Sequence, residues 1–280
     1  MESQAWDGDW YLRGFFDSGA KLGAEENAEA RIDSIPQSWA AISAAGDPVR
    51  TRHALEQTLA LLVSGSDRLI RLFTPPFDHS EPHPGYIMGY PPGLRENGGQ
   101  YTHAAIWLAM AFARLGDGAN CGLLLSLLNP VEQARDPIAV QRYAIEPYVI
   151  AADIYTAEGL VGRGGWSWYT GSAAWLYRVW IEEVLGFQVR GDYFSVEPCV
   201  PADWTTYSFT YRRQGASYHI SVRIDAQANT TEVTLDGQRQ SGSRIPIVLN
   251  SGAHEVTVRA ARIPVNREAA EALNLPPVHS

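Results

Sequence analysis

Long apolar runs are missing from this chain of 280 residues: nowhere do the roughly eighteen apolar residues of a membrane-crossing helix follow one another. The segment Met1-Glu2-Ser3-Gln4-Ala5-Trp6-Asp7 has no apolar stretch of the kind a signal peptide needs, so a cytoplasmic setting is expected. Cysteine is scarce. Cys121 and Cys199 fit no metal-ligand spacing and sit among apolar neighbours, which reads as two buried thiols. No Lys/Arg cluster is present and the formal net charge is -9, which argues against a nucleic-acid partner. Also absent are G-x-G-x-x-G, a P-loop, G-x-S-x-G and H-E-x-x-H, removing the common nucleotide-binding, serine-hydrolase and zinc-protease readings. No metal and no organic cofactor is expected.

What is present is a hydrophobic content of 45% with 19% charged residues, enough to exclude disorder and to build a core. Between Thr74 and Gly99 the chain carries Pro75, Pro76, Pro82, Pro84, Pro91 and Pro92, interleaved with Gly85, Gly89, Gly93, Gly98 and Gly99. Fixed φ at proline and free φ at glycine make this an ordered but irregular loop. Its end, Arg95-Glu96-Asn97-Gly98-Gly99-Gln100-Tyr101-Thr102-His103, gathers a cation, a carboxylate, two amides, a phenol and an imidazole. That inventory suits a polyhydroxylated or anionic ligand, while a solvated, proline-stiffened loop is the plainer alternative. The chain also has 9 Trp and 13 Tyr, rings that can grip sugar faces or simply fill a core.

Asp7 to Gly19 reads as an extended piece closing in a Ser18-Gly19 turn. Helices are expected over Pro36–Ala45, from Asp47-Pro48 to Gly65, over Thr102–Leu115 (apolar nearly all round, hence buried), Gly118–Leu128, Pro147–Thr156 and Ala173–Leu185. The last is preceded by a second glycine-rich junction, Val161 to Ser172, with Thr170, Gly171 and Ser172 at the helix start. Free N–H groups there could hold an anion, although Thr170 alone reads more readily as an ordinary N-cap. From Tyr193 the period falls to two. Strands are expected at Tyr207–Tyr211, Ser217–Ile224, Thr231–Leu235, Ile245–Leu249 and His254–Val258, with turns at Asp236-Gly237 and Ser251-Gly252, forming a small antiparallel module.

Several blocks in order resemble glycoside hydrolase family 94: Trp6 to Arg13, Arg31 to Trp39, Phe73 to Asp78, Gly85 to His103, Val161 to Ala173, and Glu197-Pro198-Cys199. Within the family they are most similar to 1,2-β-oligoglucan phosphorylases and the phosphorylase-like C-terminal part of cyclic β-1,2-glucan synthases. The resemblance implies an (α/α)6 toroid followed by a small β-sandwich, and inverting phosphorolysis of β-glucosides to α-glucose 1-phosphate. It places phosphate on His103, Thr170 and Gly171, with Ser172 beside them, and the glucan on Glu96, Gln100, Tyr101 and Arg13. Asp7, Asp9, Asp17 and Asp33 read as turn and cap residues.

The family's general acid lies in a Gly-Asp-Trp-Asn-Asp-Gly-Met-like block that this chain lacks. Asp7-Gly8-Asp9-Trp10 echoes it, but Trp6 to Arg13 matches a later aromatic-rich block, so the acid is not assigned to Asp9. The expectation is therefore the second half of a toroid over 1–190, a β module over 191–262 and a loosely held tail over 263–280. The acid would come from other polypeptide, with a complementary N-terminal chain or self-association covering the exposed half-ring. Two alternatives stand beside this: a hydrolase pairing Glu96 with Asp17 or Glu146, and a non-catalytic β-glucan-binding remnant.

Overall fold

The computed structural model describes residues 2–248 and 252–261. The tail expected to be loosely held, the Ser251 turn position and the end of the Ile245–Leu249 strand lie outside the described residues. The architecture is mixed: a helical part threaded with two-stranded sheets, then two larger sheets.

The chain opens with a hairpin of β1 (Gly14–Phe15) and β2 (Lys21–Leu22), turning where Ser18-Gly19 implied. β3 (Ile32–Asp33) runs directly into α1 (Ser34–Ile42), whose cap is Asp33: its side chain accepts the Ile35 N–H at 2.7 Å. α2 (Pro48–Leu62) begins as expected, with Asp47 accepting from Val49 and Arg50 and with Pro48 in the first turn, where a missing N–H costs no helical bond. β4 (Val63–Ser64), β5 (Leu69–Ile70) and β6 (Phe73–Thr74) follow. β6 pairs back onto β3.

The proline-rich loop is held by one buried amide. Asn97 accepts the Phe77 N–H at 2.7 Å and donates to the carbonyls of Phe77 and Tyr90 at 2.8 and 2.7 Å. Gly98 sits at φ 78°, where a Cβ would also come within 2.8 Å of Pro76, so no other residue fits. β7 (Gln100–Tyr101) then leads into α3 (Thr102–Arg114). As its apolar circumference implied, α3 is buried almost throughout, packing against α1, α4 (Gly118–Leu128) and the later helices. Leu55, Ile70, Ile106, Leu108, Phe112 and Leu124 share this core. Each such side chain contributes roughly 1.5–3 kcal/mol by burial, which makes α3 a rigid support for whatever stands at its N-terminus. Cys121 and Cys199 lie in the same core as free, buried thiols.

α5 (Pro130–Gln133) and α6 (Pro137–Tyr143) come next. The helix expected over Pro147–Thr156 does not form. That segment is irregular and ends in β8 (Asp153–Ile154), which pairs with β7, while Tyr155 N–H bonds the Arg163 carbonyl at 2.8 Å. Partners on two distant segments satisfy the backbone that a helix would have satisfied locally. The expected Ala173–Leu185 helix is α7 (Ser172–Arg178) followed by a π turn over Val179–Val184.

The β part starts earlier than the period change suggested. β9 (Phe187–Arg190) and β10 (Tyr193–Val196) form a hairpin, so a boundary at 190 would fall inside it. β11 (Thr206–Arg213), β12 (Ala216–Asp225), β13 (Glu232–Leu235), β14 (Gln238–Arg239), β15 (Arg244–Pro246) and β16 (Ala253–Ala261) complete the order. The sheets run β15-β10-β9 and β11-β12-β16-β13-β14, burying one core that includes Phe194, Tyr218, Ile220, Ile245 and Val256. The module is not wholly antiparallel, as β12 and β16 run parallel. After β13 to β15 the chain returns and inserts its last strand between β12 and β13, a pairing choice that alternation alone does not encode.

Candidate active-site cleft

A cleft of about 530 Å³ lies between the N-terminal hairpin, β3 and α1, the proline loop and the start of α3. Four sequence-nominated residues reach its wall: Arg13, Glu96, Tyr101 and His103. Two that sequence reasoning did not nominate as ligand contacts, Trp39 and Trp107, also line it, along with Asp33.

His103 is the second residue of α3, and Trp107 follows one helical turn later on the same face. Their ring centroids are 5.2 Å apart. Trp107 meets Trp39 edge-on at 5.4 Å and Trp175 of α7 at 5.8 Å, and Trp175 is 6.1 Å from His103. The imidazole therefore stands in an aromatic corner whose burial lowers its pKa below the ordinary value. At neutral pH it is a neutral ring with one N–H to donate.

The second glycine-rich junction comes up to His103 at Gly171, although Thr170, Gly171 and Ser172 are not among the residues that line the cleft. A Cβ on Gly171 would stand 3.4 Å from His103 Cε1, so the backbone at 171 lies against the imidazole. Thr170 Oγ1 is 2.6 Å from Ser172 Oγ and accepts the Ser172 N–H at 3.1 Å. Thr170 thus turns the chain into α7 with its hydroxyl one residue from the His103 contact, and Ser172 is buried behind it.

On the opposite wall, Arg13 Nε lies 3.5 Å from Asp33 Oδ2. Burial pushes the Asp33 carboxyl up to about 6, against the opposing pull of Arg13 and the Ile35 N–H. Burial also raises the Tyr101 phenol. Two buried polar atoms on the wall have no hydrogen-bond partner: Glu96 Oε2 and Trp107 Nε1. Leaving such atoms unpaired costs about 1–3 kcal/mol each, so the cleft residues Glu96 and Trp107 each retain unused hydrogen-bonding capacity.

Gln100 is not brought to the cleft. Its amide is buried, and Oε1 accepts the Ile70 N–H at 2.9 Å, fixing β5 against β7. The carboxylates weighed as partners for Glu96 are elsewhere too. Asp17 does not line the cleft, and Glu146 is bonded to Ser167 and Trp168. Asp9 is 2.7 Å from His53, and Asp7 accepts from Lys21 and the Glu25 N–H. Among the described residues no group of three or more His, Cys, Asp or Glu is disposed to hold a metal, and no helix is long and apolar enough to cross a membrane. The signals for Trp39 and Trp107 were available: Trp39 ends the Arg31 to Trp39 block, and Trp107 is four residues from His103.

The proteins similar to this chain include one named as a glucan synthase and others named as phosphorylases. Cyclic β-(1,2)-glucan synthase NdvB of Rhizobium meliloti (strain 1021) is 46% identical over 236 residues, covering 84% of this chain and 8% of that protein. Solabiose phosphorylase of Paenibacillus borealis is 28% identical over 92% of this chain and 33% of its own length. The 3-O-β-D-glucopyranosyl-β-D-glucuronide phosphorylase of the same organism is 30% identical over 86% of this chain and 31% of its own. This chain thus spans a third or less of these relatives. Residues 1–186 match the catalytic domain of the glycosyl hydrolase 94 superfamily, and to that family the chain belongs.

Proposed function

We propose that this chain is the C-terminal part of an inverting β-glucan phosphorylase, acting on β-1,2 linkages, whose helices supply the second half of an (α/α)6 toroid. The observation that carries this reading is the seating of the Gly171 backbone against the His103 ring, beside a wall bearing Glu96. Inorganic phosphate, as co-substrate, would be held jointly by the imidazole N–H and the adjacent Thr170-Gly171 turn through charge-assisted hydrogen bonds. The glucosyl unit would contact Glu96, Tyr101 and Arg13 over the Trp107 ring. A phosphate oxygen attacks the anomeric carbon from the α face as the β-glycosidic C–O bond breaks. The departing oxygen takes a proton from a carboxylic acid on polypeptide outside this sequence, and the products are α-glucose 1-phosphate and a shortened glucan.

Phosphate is already an anionic nucleophile, so no second carboxylate is required to activate water, unlike in inverting hydrolysis. Asp17 and Glu146 do not line the cleft, and the second carboxylate that does, Asp33, is engaged by Arg13 and by the Ile35 N–H it caps. A cytoplasmic setting and a complementary partner chain belong to the same proposal.

The test combines this chain with a polypeptide bearing the acid-containing upstream segment, β-1,2-glucan and phosphate. Phosphate-dependent release of glucose 1-phosphate is expected, and His103→Ala should lower it by about 10²-fold, the scale of removing one preorganised donor. Sugar release that needs no phosphate and ignores His103→Ala would overturn the reading.

A further inference from the structure

A second set of rings stands outside the cleft, on the segment leading into α7. Trp168 and Tyr148 are each 68% exposed, with centroids 6.3 Å apart and planes at 75°. The Trp168 ring is not free to drift. Trp168 Nε1–H donates to Glu146 Oε1 at 2.8 Å, and Ser167 Oγ–H donates to Glu146 Oε2 at 3.0 Å, so both oxygens of one carboxylate fix the tryptophan loop.

The backbone of Trp168 is at φ 66°. A bulky residue in that left-handed region costs of order 1–3 kcal/mol, and a ring left in water recovers little of it by burial. Trp166, half-exposed in the same loop, lies under the Arg95 guanidinium at 5.4 Å, next in sequence to Glu96 of the cleft wall. Trp168 is three residues before Gly171, hence within about 11 Å of the His103 contact by chain reach. Arg95 thus ties Trp166 to the loop that carries Glu96, and Trp168 stands on the segment that leads to the His103 contact.

We propose that Trp168 and Tyr148 form an outer platform on which a further pyranose ring of the glucan stacks, beyond the unit held in the cleft. It rests on the phosphorylase reading for the inner unit, but its own support is the locked, strained and exposed tryptophan. One face of a β-glucosyl ring presents axial C–H groups to the π face, while its hydroxyls meet the lone pairs that each Glu146 oxygen retains. A protein partner would favour a contiguous apolar patch. These rings are instead interrupted by Glu146, Ser167 and Arg95, polar groups suited to hydroxyls.

The experiment titrates the 280-residue chain with a β-1,2-linked glucose disaccharide and pentasaccharide by calorimetry. The pentasaccharide should bind about ten-fold more tightly, the scale of one added ring contact. Trp168→Ala should abolish that length preference and leave disaccharide affinity within two-fold. Trp168→Gly, which also relaxes the positive φ, should do the same without any folding penalty. A length preference that survives both variants, or a loss shared equally by both ligands, would overturn the platform and leave the phosphorylase reading intact. Loss of the preference in a chain that shows no phosphate response at His103 would support the platform and count against the phosphorylase. Failure of the wild type to bind either sugar would overturn the platform, whereas the phosphorylase reading stands or falls on phosphate-dependent release of glucose 1-phosphate. A shift in sedimentation from dimer to monomer in Trp168→Ala, with sugar binding unchanged, would assign the rings to self-association instead.

Discussion

The helical part, which carries the cleft, and the β module differ in how fully they pair their buried polar groups. Among the described residues, the buried side-chain atoms without a hydrogen-bond partner all lie at or before Asp153, with Glu96 Oε2 and Trp107 Nε1 on the cleft wall. In the module, Arg259 is paired with Asp225, Arg239 with Glu232, and Ser243 donates to Glu197. The strands β12 and β16 alternate buried and exposed side chains. The module leaves no such atom among the described residues, whereas the helical part keeps several, two of them on residues that line the cleft.

The largest effect that would sharpen this contrast is a core deletion in the module. Phe194→Ala removes a fully buried ring packed on Phe187, Tyr211 and Tyr218, and should cost about 3–5 kcal/mol in urea unfolding. Oligosaccharide binding below the transition should persist. Its disappearance there would show that the two regions are not separable.

Next is Asp33. Its folded pKa of about 6 exceeds the ordinary 3.8, so between pH 4 and 6 the folded state binds more protons than the unfolded chain. Stability from this group is therefore complete below pH 4 and falls as pH rises through 6, by roughly 3 kcal/mol at most. Asp33→Asn keeps a capping side chain for α1 and should flatten the pH dependence of unfolding in that window. An unchanged slope would remove Asp33 as its source.

A smaller signal should come from His103. Its ring resonances should titrate below 6.5, and phosphate should move the midpoint upward, because a neighbouring anion favours the imidazolium. A midpoint that ignores phosphate would separate the imidazole from the anion site. Least of all should Glu182→Gln matter. The exposed Arg178–Glu182 pair, one turn apart with N to O of 2.8 Å, should contribute within about 0.5 kcal/mol.

Much of the cleft was legible because Glu96, Tyr101 and His103 sit in one short stretch bounded by glycines, and because α3 announces its burial all round its circumference. Its other wall was not. Asp33 read as a cap, which it is, but nothing local reveals that the capping carboxylate also faces the cleft beside Arg13. That follows from β3 pairing with β6, a contact between Ile32 and Thr74. Gln100 erred the other way. Within a polar block it reads as a ligand contact, yet the bond to Ile70 N–H turns it inward.

The sequence alone determined whatever depends on near neighbours: the Asp47-Pro48 helix start, the Ser18-Gly19 turn, the irregular proline loop, the alternation of the module's strands and the order of the family's blocks. Tertiary structure decided what depends on a choice among distant partners. It set the non-helical course of 147–156, the parallel seat of β16, the inward turn of Gln100, and the meeting of His103 with Gly171. Propensities and caps act over a few residues and can be read one window at a time. Pairing between remote segments is settled only when the whole chain finds the arrangement that buries its apolar faces while leaving few backbone groups unbonded.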